Sequence, residues 1–290
     1  MPQTARTETF TLARPARQTA AVVFSSPHSG RDYPADFLAR SALDARAIRS
    51  SEDAFVEQLY DMAPGMGAPL LSARVPRAYI DLNRAADELD PGVIEGVMRA
   101  PHNPRVSSGL GVIPRVVAGG RAIYSGKLPL AEAEDRIRRC WHPYHEALRG
   151  LVEETRAAFG EVLLIDCHSM PHEAIDAHAR PGHARPEVVL GDRFGASAQR
   201  DLVEAVEAAF AAAGLRTVRN APFAGAHITQ AYGRPSRGMS AIQVEIDRSL
   251  YMDEARIEPR ADFDAFRALM AGVVAEIAGL MRRGTALAAE

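Results

Sequence analysis

Short apolar runs alternate along this chain with longer stretches in which apolar residues recur at helical spacing. Residues 20–26 are β-branched and aromatic and close at Ser25-Ser26-Pro27-His28, which predicts a buried strand. Ser50 and Ser51 then stand as a cap before acids and apolar residues at 55, 56, 59, 60 and 62. That pattern predicts a helix of about three turns, ended by PGMG. PLLSARV and RAYIDL read as two further strands, the second closing at Asn83 and Arg84. Residues 85–125 are rich in Pro, Gly and Arg with weak periodicity, an irregular excursion of the kind that forms functional loops or lids.

Beyond it, LPLAEAEDRIRRCWHPYHEALRGLVEETRAAF predicts one kinked helix or two in sequence, with Pro129 at the start and Pro143 at the kink. EVLLIDCHS is a strand ending on a histidine, and residues 169–186 form a loop rich in His, Pro and Arg. PEVVLGD, LRTVRN and SAIQVEIDRSLYM read as strands, the last with Val244 and Ile246 on one face. Amphipathic helices are predicted up to Gly214 and over residues 261–282. Strands alternating with helices predict an α/β layered fold with a largely parallel sheet, and the lack of a linker predicts one domain over 1–290.

Composition changes this picture little. Apolar residues make up 47% and charged residues 24%, and the formal net charge is −3 without a sustained basic stretch. Neither nucleic acid nor an anionic membrane is therefore an expected partner. The apolar runs are too short to span a bilayer, and the N-terminal residues lack the pattern of a signal peptide. Two cysteines, Cys140 and Cys167, fit a reducing cytoplasm and give no disulfide framework.

The candidate chemistry lies where strands end. His28, the pair Asn83-Arg84 and His168 close three predicted strands, and ligands in open α/β sheets bind beyond the carboxyl ends of strands. A hydrolytic zinc site needs three protein ligands and an open position. His28 and His168 supply two, and either Glu52 or Asp53 supplies the third. Asp166, two residues before His168, shares its face of the strand and is placed to orient it. Other arrangements fare worse. Pro171 argues against a helical pairing of His168 with His172, there is no HExxH, and Cys167 points to the core. The glycine-rich pieces GLGV and VAGGRAIYSG lack the context of a phosphate loop. His102, His142, His145, His178 and His183 are expected at the surface, and Glu245 taken alone reads as an exposed charge.

PHSG, the helix beginning ED, RAYIDLNR, LLIDCHSMP, GDRFG and IQVEIDRSLYMDE, in that order, resemble the N-formylglutamate amidohydrolase family. The motifs span roughly residues 20–255. The resemblance implies a three-layer sandwich like that of the zinc carboxypeptidases, a mixed, largely parallel sheet between helices. It implies His28, Asp53 and His168 as metal ligands, favouring Asp53 over Glu52, with one Zn2+ per chain or another divalent metal. Glu245 corresponds to the general base and acid, and Arg77, Asn83 and Arg84 to the segment that holds substrate carboxylates. His227 stands where an aromatic, usually Tyr, is expected, so it is a candidate substrate contact and a reason for altered specificity. The implied activity is release of formate from N-formyl-L-glutamate, as at the end of histidine degradation, in a cytoplasmic monomer or homodimer that takes a small acidic substrate. A zinc amidase or carboxypeptidase acting on another N-acyl amino acid or short peptide, and a non-catalytic binder of an acidic metabolite, are the alternatives. Specificity and any lid are expected in residues 92–125.

Overall fold

A computed structural model describes residues 3–98, 103–176 and 185–282. His102, His178 and His183 lie outside the described residues. The strands are β1 (Gln3–Arg6), β2 (Phe10–Arg14), β3 (Val22–Ser26), β4 (Leu70–Ala73), β5 (Val116–Val117), β6 (Arg121–Ala122), β7 (Val162–Met170), β8 (Val188–Gly191), β9 (Thr217–Arg219), β10 (Met239–Asp247), β11 (Met252–Asp253) and β12 (Glu258–Pro259). The helices are α1 (Ala35–Arg40), α2 (Val56–Leu59), α3 (Pro104–Ser107), α4 (Leu130–Arg136), α5 (His142–Phe159), α6 (Glu173–Asp176), α7 (Arg200–Ala212), α8 (His227–Tyr232) and α9 (Phe263–Leu280).

Among the described residues, eight strands form one sheet in the order β1-β2-β4-β3-β7-β10-β8-β9. Pairing is parallel through the centre, from β4 through β3 and β7 to β10, and again between β8 and β9. It is antiparallel where β1 joins β2, β2 joins β4, and β8 joins β10. The long central strands β7 and β10 are buried on both faces, as apolar runs in parallel sheets are. One face packs Phe24, Cys167, Val244 and Ile246 against α2, α7 and α9, and the other packs Val23, Leu71 and Leu164 against the long helix and the 85–125 excursion. The architecture is thus a three-layer α/β sandwich with a mixed sheet between helices, and Val244 and Ile246 share a face as expected.

The structure departs from the sequence expectation in three places and decides the choice left open for the long helix. The three-turn helix after Ser51 shrinks to one turn, Val56–Leu59, because Phe55 takes a left-handed backbone conformation (φ 66°) that breaks the ladder. RAYIDL is not a strand. Two of its carbonyls are taken by side chains of the long helix instead of a neighbouring strand, Tyr79 by Arg136 and Leu82 by His145, and Trp141 donates to the Arg84 carbonyl just beyond it. The long helix itself is continuous, with a π turn over Ile137–Trp141 just before Pro143. Proline supplies no N–H to the carbonyl of Arg139, and the Thr9 hydroxyl bonds that carbonyl at 3.0 Å in its place. The N-terminal hairpin of β1 and β2 was not expected, since its outer strand is exposed throughout and carries no apolar alternation.

Candidate active site

Register fixes the site. β10 runs parallel to β7 with Gln243 opposite Asp166 and Glu245 opposite His168. Because Cys167, Val244 and Ile246 face the core on one side, alternation sends Asp166, His168, Gln243 and Glu245 to the other. His28 arrives from the turn after β3, where Gly30 lets the backbone of Val75 pass so closely that a Cβ would lie 2.0 Å from its carbonyl oxygen. Asp53 comes from the turn before α2, tied by its backbone N–H to the His28 carbonyl at 3.1 Å.

His28, Asp53 and His168 converge, with one ligand-type atom from each lying within 4.8 Å of the others, and all three residues are buried. Both imidazoles turn Nδ1 toward Asp53 Oδ2, at 3.5 Å for His28 and 2.9 Å for His168. Both turn Nε2 toward a second carboxylate, Asp81 at 2.7 Å for His28 and Asp166 at 3.0 Å for His168. Asn83 Nδ2 lies 3.0 Å from Asp166 Oδ2 and 3.0 Å from His168 Nε2, while its Oδ1 accepts from the Ile228 N–H at 2.7 Å. Arg248 Nη2 donates to Asp53 Oδ1 at 2.9 Å. The Nδ1 atom of His28 is buried without a hydrogen-bond partner. Two imidazole nitrogens aimed at one carboxylate, each ring backed by another carboxylate, form a donor set that can hold a divalent cation.

The electrostatics follow from the crowding. Burial alone would raise Asp53, but hydrogen bonds from His168 and His28 hold it well below the usual carboxylate range. Burial likewise opposes ionisation of Asp81, and His28, Arg84 and Arg77 overcome it and hold that carboxyl well down. His168 moves the other way: burial would lower it, yet Asp166 and Asp53 raise it well above the ordinary imidazole value. Glu245 is pushed up to about 7, chiefly by burial and by the nearby Asp53 charge, against the pull of His168, Arg77 and Arg248. Gln243 Nε2 donates to its Oε1 at 2.8 Å.

A cavity of about 630 Å³ opens above this group, lined by His28, His168 and Glu245 at its floor and by Arg77, Arg84, Arg105 and Arg248 around it. Arg77 Nε bonds Asp81 Oδ2 at 3.1 Å. The hairpin of β5 and β6 contributes Val116 to Gly120 to the wall, so the irregular excursion does border the site.

Several expectations need correction. Glu52 does not join the group: it is held by Arg49 at 3.0 Å and by the Tyr33 hydroxyl at 2.5 Å. Asn83 lines the cavity, and with Nδ2 turned to Asp166 and His168 and Oδ1 accepting from Ile228 it also helps to orient the histidine. His227 lines a second cavity of about 920 Å³ with Asp87 and Glu88, and its ring lies 5.3 Å from that of His145. His145 is buried, stacked on Trp141 at 4.0 Å, and not at the surface. Glu245 is buried as well. Sequence reasoning missed the roles of Asp81, Gln243 and Arg248. All three lie in the recognised motifs, and Gln243 is two residues from Glu245 on the same strand face.

A sequence profile described as N-formylglutamate amidohydrolase matches residues 20–252. The chain is 34% identical over 260 residues to an N-formylglutamate deformylase of Pseudomonas aeruginosa, covering 88% of this chain and 91% of that one. It is 33% identical over 239 residues to an N-formylglutamate deformylase of Pseudomonas putida, covering 80% and 82%. The crystal structure of an N-formylglutamate amidohydrolase from Ralstonia eutropha superposes with a TM-score of 0.89 at 36% identity, covering 96% of this chain and all of that one. A gene product of Agrobacterium tumefaciens shares the fold, with a TM-score of 0.65 at 18% identity. Among the described residues, no helix is long and apolar enough to cross a membrane.

Proposed function

The chain belongs to the N-formylglutamate amidohydrolase family, and from that premise we propose that it releases formate from N-formyl-L-glutamate with the help of one divalent metal, zinc by preference, held by His28, Asp53 and His168. The observation that carries the reading is the convergence of those three side chains beside Glu245 at the floor of an arginine-lined cavity. Two neutral imidazoles and a carboxylate suit zinc, and iron, cobalt or manganese accept the same donors. When bound, the metal polarises the amide carbonyl and acidifies a water molecule. Asp81 and Asp166 hold the two rings so that each Nδ1 stays turned to Asp53. Gln243 fixes Oε1 of Glu245, which leaves Oε2 to take the proton of the attacking water and return it to the departing amine nitrogen. Arg77 and Arg84 present guanidinium groups to the substrate carboxylates, a pairing that is bidentate and charge-assisted. The two buried, unpaired cysteines support a reducing, cytoplasmic location.

The test pairs elemental analysis with a formate-release assay on N-formyl-L-glutamate, repeated after chelation and after zinc is restored. About one metal per chain, with release that chelator abolishes and zinc restores, is the expected result. Metal without formate release would move the substrate to another N-acyl amino acid. Full activity in metal-free protein would overturn the ligand assignment.

A further inference from the structure

Arg84 is almost wholly buried at the cavity wall, with 6% of its surface exposed. Its Nε donates to the Leu110 carbonyl at 2.9 Å and its Nη1 to the Asn83 carbonyl at 2.8 Å, both neutral acceptors. Its nearest carboxylate oxygen, Asp81 Oδ2, is 4.0 Å from Nη2 and already bonded to Arg77. A buried guanidinium without a carboxylate of its own is costly unless something supplies the missing charge. Arg105, delivered from α3 of the irregular excursion, lines the same cavity; burial, then the like charges of Arg77 and Arg105, push Arg84 down against the pull of Asp81 and Glu88.

Arg105 is held lightly. Nη2 donates to the Gly225 carbonyl at 3.3 Å, and among the described residues no carboxylate lies within ion-pairing distance of it. Gly225 sits at φ 111°, where a Cβ would lie 2.5 Å from the Thr229 hydroxyl oxygen, so the backbone there is shaped by glycine. Two guanidinium groups that line one cavity, the second without an ion-pair partner among the described residues, make a site for an anion. Pairing and exposure distinguish Arg105 from Arg77: Arg77 is neutralised by Asp81 beside His28, whereas Arg105 is an exposed residue toward the cavity mouth.

We propose that Arg84 and Arg105 form a carboxylate clamp that takes the side-chain carboxylate of the N-acyl amino acid and selects acidic over neutral side chains. This rests on the amidohydrolase reading of the site and adds Arg105 as its specificity residue. The clamp also gives the irregular excursion a task, since α3 reaches the cavity through this one cationic side chain.

The experiment compares kcat/KM for N-formyl-L-glutamate and its neutral isostere N-formyl-L-glutamine in the metal-loaded wild type, Arg105→Met and Arg105→Lys. The expected result is a preference for the acidic substrate that falls roughly 10- to 100-fold in Arg105→Met and is partly kept in Arg105→Lys. Equal losses on both substrates, or an unchanged preference, would overturn the clamp. Calorimetric titration of glutarate separates this outcome from failure of the underlying reading. If the wild type released no formate from either compound, that reading would fall. Weaker glutarate binding by Arg105→Met would still support the clamp, and equal binding would remove it.

Discussion

Segment 81–84 divides two histidine neighbourhoods that differ in every respect except burial. On one side, Asp81 and Asn83 turn their side chains to His28 and His168, which sit among carboxylates. On the other, the carbonyl of Leu82 accepts from His145, which stacks between Trp141 and Tyr232, and Trp141 bonds the carbonyl of Arg84. His168 is raised well above the ordinary imidazole value by Asp166 and Asp53 against the effect of burial, whereas burial takes His145 down to about 3. Burial therefore says little about what a histidine does. The neighbours decide: carboxylates suit the first pair to holding a cation, whereas at His145 burial, joined by the charges of His227, Arg149 and His142, outweighs the Leu82 carbonyl and keeps the ring neutral.

The severest way to break the contrast is to remove the carboxylate shared by His28 and His168. Asp53→Ala is expected to abolish metal retention and formate release together, measured by elemental analysis and assay. It also leaves Arg248 buried without its partner, at a cost of about 3–5 kcal/mol in urea unfolding. Next comes Glu245→Gln, which keeps the metal and lowers kcat by roughly 10²- to 10⁴-fold. A base must be ionised, so kcat/KM in the wild type rises with pH across the titration of Glu245. That group stands at about 7 without a metal, and a bound cation lowers it, so the limb lies at or below about 7. A profile that falls with pH through that range would assign the proton transfer elsewhere.

How much of this was legible in the sequence follows from distance along the chain. Strand ends and alternation are local, so β-branched runs marked β3 and β7, and the two-residue step from Asp166 to His168 placed both on one face. The ring partners are not local. His28 and Asp81 are 53 residues apart, His168 and Asp53 are 115 apart, and Arg248 lies 195 residues from Asp53. Neither period nor propensity carries such pairings. Likewise the left-handed Phe55 sets its ring against Phe263 of the last helix, and RAYIDL failed as a strand because side chains of a distant helix bond carbonyls within it. Glu245 came from the family resemblance, since a glutamate in a strand reads as exposed until its neighbours are known.

A gentler change sharpens the contrast from the ligand side. Asp81→Asn and Asp166→Asn each keep shape but remove the charge behind one ring. Each is expected to weaken metal binding by roughly 10- to 100-fold, read by competition with a chromophoric chelator. An effect confined to one of the two would mean that the symmetry of the pair is structural and not electrostatic.

The smallest effect, and the one that tests the neutral ring, is the pH dependence of stability at His145. Its folded-state value of about 3 lies below the unfolded value of about 6.5. Between those values the unfolded chain binds more protons, so His145 makes stability fall as pH falls, by about 1.4 kcal/mol per pH unit below about 6.5. Glu245, raised to about 7, acts oppositely over part of that range, so the absolute slope mixes the two. The difference between wild type and His145→Phe isolates the histidine. The phenyl ring keeps the stacking but leaves the Leu82 carbonyl without its donor, which costs about 1–3 kcal/mol at pH 7.5. Acidification to pH 5 then destabilises the wild type but not the variant at this position. The gap measured by urea unfolding is expected to close by about 2 kcal/mol. A gap that stays constant would mean that His145 is protonated in the folded protein, and that the two neighbourhoods are more alike than their contacts indicate.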